Sequence, residues 1–267
     1  MSTDALRTVP LDSSRTGVLS AKVVWRVFFR SFLLQASWNP QGMQNLGLAY
    51  AVYPALEELY PDVDRRAAAV RRHLTFFNTH PYLAAAMVGG VLFHEQRIAR
   101  GQEGPEPVAN FKAALMGPLA ALGDGFFWLS LKPAAGALCA GLVPVLHAWA
   151  AVIFLAVYNA VHLPLRVRFY WLGLRLGDRV VDALAKQDLP RRGAKLRALG
   201  AASAGALAAW LAIVFGRNET GPWAPALAAG CLVLGGVSYW LVAKRATSYA
   251  LLYFAALIAA VTGALLG

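Results

Sequence analysis

Asp124 is the first residue whose position asks for an explanation. It lies near the middle of residues 112–132, "KAALMGPLAALGDGFFWLSLK", a stretch long enough to cross a bilayer. A carboxylate at membrane depth costs about 2.5–3.5 kcal/mol on insertion scales, so it needs a partner, a wet cavity or a bound polar ligand. Gly117 with Pro118, and Gly123 with Gly125, predict two interruptions of the helix around it. Unwound backbone and helix ends supply hydrogen bonds where a membrane protein holds a polar ligand. Asp124 can therefore sit in a ligand site, or cap a half-helix at the tip of a re-entrant hairpin. The two roles are compatible.

A second group lies in "QASWNPQGMQNLGLAYAVYPALEELYP", residues 35–61. Asn39 can cap a helix that begins at Pro40, and that local role accounts for it. It does not account for Gln44 and Asn45 on a short apolar helix with Gly47, followed by Tyr50 and Tyr53 at helical spacing. Amides and hydroxyls so grouped can grip sugar hydroxyls, with Trp38 offering an apolar face to a sugar ring. The competing role is polar glue between membrane helices.

The third stretch is "RRHLTFFNTHP", residues 71–81. Asp62 or Asp64 starts a helix after Pro61, and Ala67, Val70, Leu74 and Phe77 recur at helical spacing. Arg65, Arg66, Arg71 and Arg72 are left for other faces, which makes a basic amphipathic helix suited to anionic lipid or a cytoplasmic partner. Asn78, Thr79, His80 and Pro81 stop it and turn the chain into an apolar run. His73, His80 and His94 have ordinary polar or structural roles as their simplest reading.

The elements that must position these groups belong to a membrane. Of 267 residues 58% are hydrophobic and only 15% charged, and mean hydropathy is +0.50. The net charge of +11 sits between apolar segments, in no basic-aromatic module of a nucleic-acid binder, so nucleic acid is not an expected partner. Cys139 and Cys231 stand alone, and neither metal-ligand spacing nor a phosphate-cradling glycine loop occurs, so no metal or cofactor is expected. Residues 1–20 read as a mobile cytoplasmic tail. Residues 199–216, 224–243 and 249–267 predict three regular spans at the C-terminus. The segment before them, 166–197, carries nine basic residues against three aspartates and is expected in the cytoplasm, which places the C-terminus outside. Residues 133–165 predict a kinked or tilted helix at Pro144, whereas 23–34, 43–56 and 82–93 are too short to cross alone. The fold expected is an all-α integral membrane protein, with re-entrant or broken helices in its N-terminal half.

"SWN" followed by "MQNLG" (37–47), "RRHLTFFNTHP", "LMGPLAALGD" (115–124), Phe127 with Trp128, and Lys132 with Pro133 resemble, in order and spacing, the IID component of mannose/fructose/sorbose-family phosphotransferase sugar permeases. The resemblance covers 21–177, the expected core; 178–197 is a basic cytoplasmic segment and 198–267 the C-terminal transmembrane helices. It implies a subunit of the bacterial cytoplasmic membrane, with a cytoplasmic N-terminus, that forms a hetero-oligomer with a IIC subunit and translocates a hexose or amino sugar. Cytoplasmic IIA and IIB would carry phosphoryl groups from HPr to the sugar, so this chain would not itself be the phosphorylated enzyme. The candidate sugar contacts are then Trp38, Asn39, Gln44, Asn45, Asn78, His80, Asp124 and Lys132. Arg65, Arg66, Arg71 and Arg72 are candidates for IIB or lipid contact. The chain departs from the family pattern at Pro40, Gln41, Gly42, His94 and Gly125. A subunit that recruits phosphotransferase proteins and signals without transporting is the alternative, and a stand-alone membrane enzyme is disfavoured by the lack of a nucleophile.

Overall fold

The computed structural model describes residues 18–218 and Val237. The chain divides after Ala204 into two units, and the first carries the candidate site described below. The spans expected at 224–243, apart from Val237, and at 249–267, and the tail to residue 17, lie outside the described residues.

Among the described residues the architecture is wholly helical. Helix α1 (Ala21–Arg30) begins at Ser20, whose hydroxyl accepts from the Val23 N–H at 3.4 Å, and runs into a single 3-10 turn, Ser31–Leu33. Helices α2 (Asn45–Leu59), α3 (Val63–His73) and α4 (Ala84–Ala99) follow. Asp62 caps α3 by accepting from the Arg65 N–H at 2.8 Å, and Arg71, Arg72 and His73 close its last turn, each charge on the favourable end of the helix dipole. The helix ends at His73, a turn before the apolar spacing would carry it. Leu74 is exposed, and Phe77 is buried from the loop.

Next comes a continuous helical run from Glu106 to Leu146: α5 (Glu106–Gly123), a π-helical segment Asp124–Leu131, and α6 (Lys132–Leu146). The two interruptions expected at its glycines are absent. Gly117 and Pro118 lie inside α5, and Gly123 and Asp124 keep right-handed helical dihedrals. The chain winds wider there instead of unwinding, held by the buried Phe126, Phe127 and Leu131. Residues 133–165, expected to form one kinked or tilted helix, divide instead at His147, which adopts φ +48°, while Pro144 stays inside α6. From His147 α7 (Trp149–Leu176) folds back along α6 and continues through one 3-10 turn into α8 (Val180–Ala185); α9 (Leu189–Asn218) follows.

The core of this unit is the crossing of α4 and α7. A Cβ at Gly89 would collide with the Tyr170 carbonyl, and one at Gly173 with that of Ala86, so the two backbones touch. Small residues at a helix crossing let packing and dispersion replace a hydrophobic drive that lipid does not supply. The runs Glu106–Leu146 and Trp149–Ala185 are long and apolar enough to cross a membrane, yet only 28% and 22% of their apolar windows are buried inside the protein. A soluble core helix would be mostly covered. These face outward, as bilayer-crossing helices do.

Candidate functional site

Three polar constellations occupy the interior. In the first, the fully buried Glu95 receives Arg72 Nε at 2.7 Å and Arg72 Nη2 at 2.9 Å, one on each oxygen. The Tyr60 hydroxyl donates at 2.7 Å and His73 Nε2 at 2.8 Å. Burial pushes the Glu95 carboxyl up, but the hydrogen bonds from Arg72 and His73 outweigh it and bring its pKa down to about 2. Burial holds His73 below its usual range, so it is neutral and its Nε2 carries the donated proton. Lys112 Nζ donates to the Arg72 carbonyl at 2.6 Å and to Thr75 Oγ1 at 3.1 Å. Four helices, α2 to α5, are thereby tied together, and Glu95 is committed on both oxygens. This is a structural lock.

The second constellation holds the 35–44 loop against the 74–79 loop. Gln44 pairs with Thr79 as a strand would, donating through Nε2 to its carbonyl at 2.8 Å and accepting its N–H at 3.0 Å. Asn39 accepts from the Gly42 N–H at 2.8 Å and donates to Asn45 Oδ1 at 3.0 Å, while Asn45 Nδ2 donates to the Leu74 carbonyl at 2.6 Å. Met43, at φ +57°, bridges by backbone to Asn39 and Phe77. The amides of Asn39, Gln44 and Asn45 are thus spent on backbone and on one another, and Gln44 fixes Thr79, next to His80.

The third constellation gathers at the π segment. A Cβ on Gly123 would collide with the His80 imidazole, so that ring lies directly on the backbone beside Asp124. His80 stacks on Phe127 (5.2 Å between centroids, 13° between planes) and meets Trp128 at 4.9 Å and Tyr82 at 5.0 Å. Tyr82 packs in turn on His162 at 3.7 Å. One helical turn on, Arg166 is buried, donating to the Ser31 carbonyl at the end of α1 at 2.7 Å with its guanidinium 3.9 Å over Phe32. His80 immediately precedes the turn into α4. Asp124 is half-buried, and its carboxylate has neither hydrogen bond nor ion pair among the described residues. Nε2 of both histidines and Nε of Arg166 are buried with no hydrogen-bond partner.

Of the residues singled out in the sequence, Asp124 and His80 meet here; Asn78 is exposed two residues before His80, and Lys132 is exposed at the far end of the π segment. Trp38 is exposed on the clamped loop. Arg65, Arg66 and Arg71 remain on the surface of α3, whereas Arg72 turns inward to Glu95. The sequence reading passed over Tyr82 and His162, and it counted Arg166 in the basic cytoplasmic segment, whereas Arg166 is buried inside the apolar run Trp149–Ala185 and held by Ser31 and Phe32. A histidine and an arginine four residues apart in an apolar run were a usable signal for His162 and Arg166.

The fold and site define a helical integral membrane protein that gathers uncommitted polar groups part-way along its longest apolar helices. The chain belongs to the PTS system mannose/fructose/sorbose family IID component family, whose pattern matches residues 18–216. It is 42% identical to the mannose-specific EIID component of Escherichia coli K12 over 142 residues, 52% of this chain and 50% of that one. It is 37% identical to the sorbose-specific EIID component of Klebsiella pneumoniae (57% of this chain, 55% of that one), and 32% identical to the fructose permease IID component of Bacillus subtilis (62% and 61%). The matched segment thus spans about half the length of the E. coli relative. Among solved structures, the complex of the mannose transporter ManYZ with microcin E492 contains a chain that matches with TM-score 0.58 at 28% identity, over 93% of this chain and 97% of that one. A structure described only as a membrane protein matches with TM-score 0.69, also at 28% identity, over 92% and 97%.

Proposed function

We propose that this chain is the IID subunit of a bacterial group-translocating sugar permease, working with a IIC subunit in the membrane and with cytoplasmic IIA and IIB that deliver the phosphoryl group. The observation that carries this reading is the third constellation. An unpaired Asp124 on a π-helical turn, next to a buried His80 with a free ring nitrogen, costs stability that only a ligand, a partner or water recovers. Family membership makes a sugar the fitting ligand. Trp128, on the same π segment and 4.9 Å from the His80 ring, and the exposed Asn78, two residues before His80, are further candidates for sugar contact. Trp38 and Lys132 remain candidates as well, while Asn39, Gln44 and Asn45 serve by positioning the loop.

The membrane orientation follows from where the basic ends collect. The start of α1 meets the end of α2 through Ser20 and Glu58 Oε2 at 2.7 Å, and His94 near the end of α4 approaches Asp178 beyond α7 at 3.5 Å. That end carries Arg65, Arg66, Arg97, Arg100, Arg175 and Arg179, and the positive-inside rule assigns it to the cytoplasm, within reach of IIB. Asp124→Asn and His80→Ala are expected to abolish sugar uptake while the chain still inserts and co-purifies with IIC. Normal uptake in both variants would remove the site.

A further inference from the structure

The winding of the helix at Asp124 is not fixed by the residues beside it. Gly123 and Gly125, the residue type with the freest backbone, flank it, and a Cβ at Gly125 would meet no atom within 4 Å. π-helical turns are rare, so the wide register has to be held from elsewhere. That register shows at the end of the segment, where the Lys132 N–H reaches back five residues to the Phe127 carbonyl. Ser130, fully buried, donates its hydroxyl proton to the Gly125 carbonyl at 2.6 Å, again five residues back. Arg197, on α9, brings Nη1 to 2.7 Å from the same hydroxyl. A guanidinium can only donate, so Ser130 Oγ accepts from Arg197 and its own proton is committed to Gly125. The distance is that of a charge-assisted bond, and successive bonds in such a chain polarise one another.

Two glycines of α9 let it come this close. A Cβ at Gly193 would lie 3.0 Å from Ser130 Oγ, and one at Gly200 would lie 2.9 Å from the Ala134 Cα. Positions 193, 197 and 200 share one face of α9, which puts Arg197 between the two contacts. Arg197 is itself exposed, so replacing it opens no hole in the core. We propose that Arg197 is a positioning residue: through Ser130 it holds the Gly125 carbonyl in the wide register and so keeps Asp124 beside His80. This rests on the sugar-permease reading, which makes Asp124 a ligand contact, and deepens it by adding a cation from α9. In an α-helical register the Gly125 carbonyl would instead take the Leu129 N–H, four residues on, and Asp124 would rotate about the helix axis away from its place.

Two measurements on the full chain test this. One is the apparent KM for uptake of D-mannose, D-fructose and D-glucosamine in cells that also express IIC, IIA and IIB. The other is hydrogen–deuterium exchange over residues 124–132 of the purified IIC–IID complex. Arg197→Met keeps the length and loses the donor, Arg197→Lys keeps a charged donor, and Ser130→Ala removes the link without changing charge. Arg197→Met and Ser130→Ala are each expected to raise KM about tenfold, the lower end for losing a hydrogen bond to a charged group. The double variant should match either single, because both cut the same chain, and Arg197→Lys should stay close to native. Exchange over 124–132 should quicken alike in Arg197→Met and Ser130→Ala. A native KM in either variant, losses that multiply in the double, Arg197→Lys as impaired as Arg197→Met, or unchanged exchange each overturns the proposal. Should Arg197→Met not assemble, Ser130→Ala decides by the same two measurements. A native complex that takes up none of the sugars overturns the permease reading, while the exchange comparison still decides whether Arg197 holds the wide register.

Discussion

Replacing Glu95 by alanine is expected to be among the most destabilising single changes in the described residues. The substitution removes the acceptor shared by Arg72, His73 and Tyr60: it leaves a half-buried guanidinium without its counter-charge and His73 Nε2 without an acceptor, while Tyr60 keeps only the Glu95 backbone carbonyl at 3.3 Å. Two independent magnitudes agree. Breaking one side of a buried ion pair costs about 3–5 kcal/mol. A carboxyl held at about 2 against an ordinary value of 4.5 corresponds to about 3 kcal/mol of preference for the charged, paired form. At roughly 2–4 °C per kcal/mol for a chain of this size, the thermal midpoint of the detergent-solubilised protein should fall by about 10 °C. The sharper comparison is with the double replacement Arg72→Met with Glu95→Met, which removes both charges. It is expected to recover most of that loss, since an apolar pair of similar volume meets no unpaired charge. Fluorescence-monitored melting reads both. A midpoint for Glu95→Ala within about 2 °C of native, or a double variant less stable than the single, would refute the lock.

The same lock predicts a direction with pH. The Glu95 pKa is lowered in the folded protein, so its contribution is present above about 4.5 and lost as pH falls toward 2; His73, held neutral by burial, adds to the loss below its ordinary value of 6.5. Melting midpoints should therefore be level above pH 7 and decline on acidification, with a shallower decline in Glu95→Gln. Gly123→Ala drives a methyl group into the His80 ring and is expected to cut sugar uptake more than tenfold with little change in membrane insertion, read by uptake against complex yield. Gln44→Ala orphans both backbone groups of Thr79 and should cost about 1–3 kcal/mol, measured by melting, and impair uptake through displacement of His80.

Local signals carried much of this molecule. Asp62 as a cap, the basic last turn of α3 and the long apolar runs were readable because caps, dipoles and hydropathy act within a few residues. The π segment was not. Glycines beside Asp124 read as a break, and only the packing of Phe126, Phe127 and Leu131 shows that the helix widens and continues. Gln44 looked like a free amide because its partner, Thr79, is 35 residues away. Arg72 looked like one more surface cation for the same reason, with Glu95 23 residues on and on another helix. The candidate site was half legible. Asp124 and His80 stood out by type and place, whereas His162 and Arg166 acquire meaning only when α7 folds back and sets them against Tyr82.

The most direct test of the central claim is uptake and phosphorylation of radiolabelled mannose, fructose, glucosamine and N-acetylgalactosamine in cells that lack their own permeases, expressing this chain with IIC, IIA and IIB. The account predicts uptake of at least one of these sugars that disappears when this chain is omitted and when Asp124 is replaced by asparagine. Uptake unaffected by omitting the chain, or absent although the chain and IIC co-purify from the membrane, would contradict it and favour a recruiting subunit that does not transport.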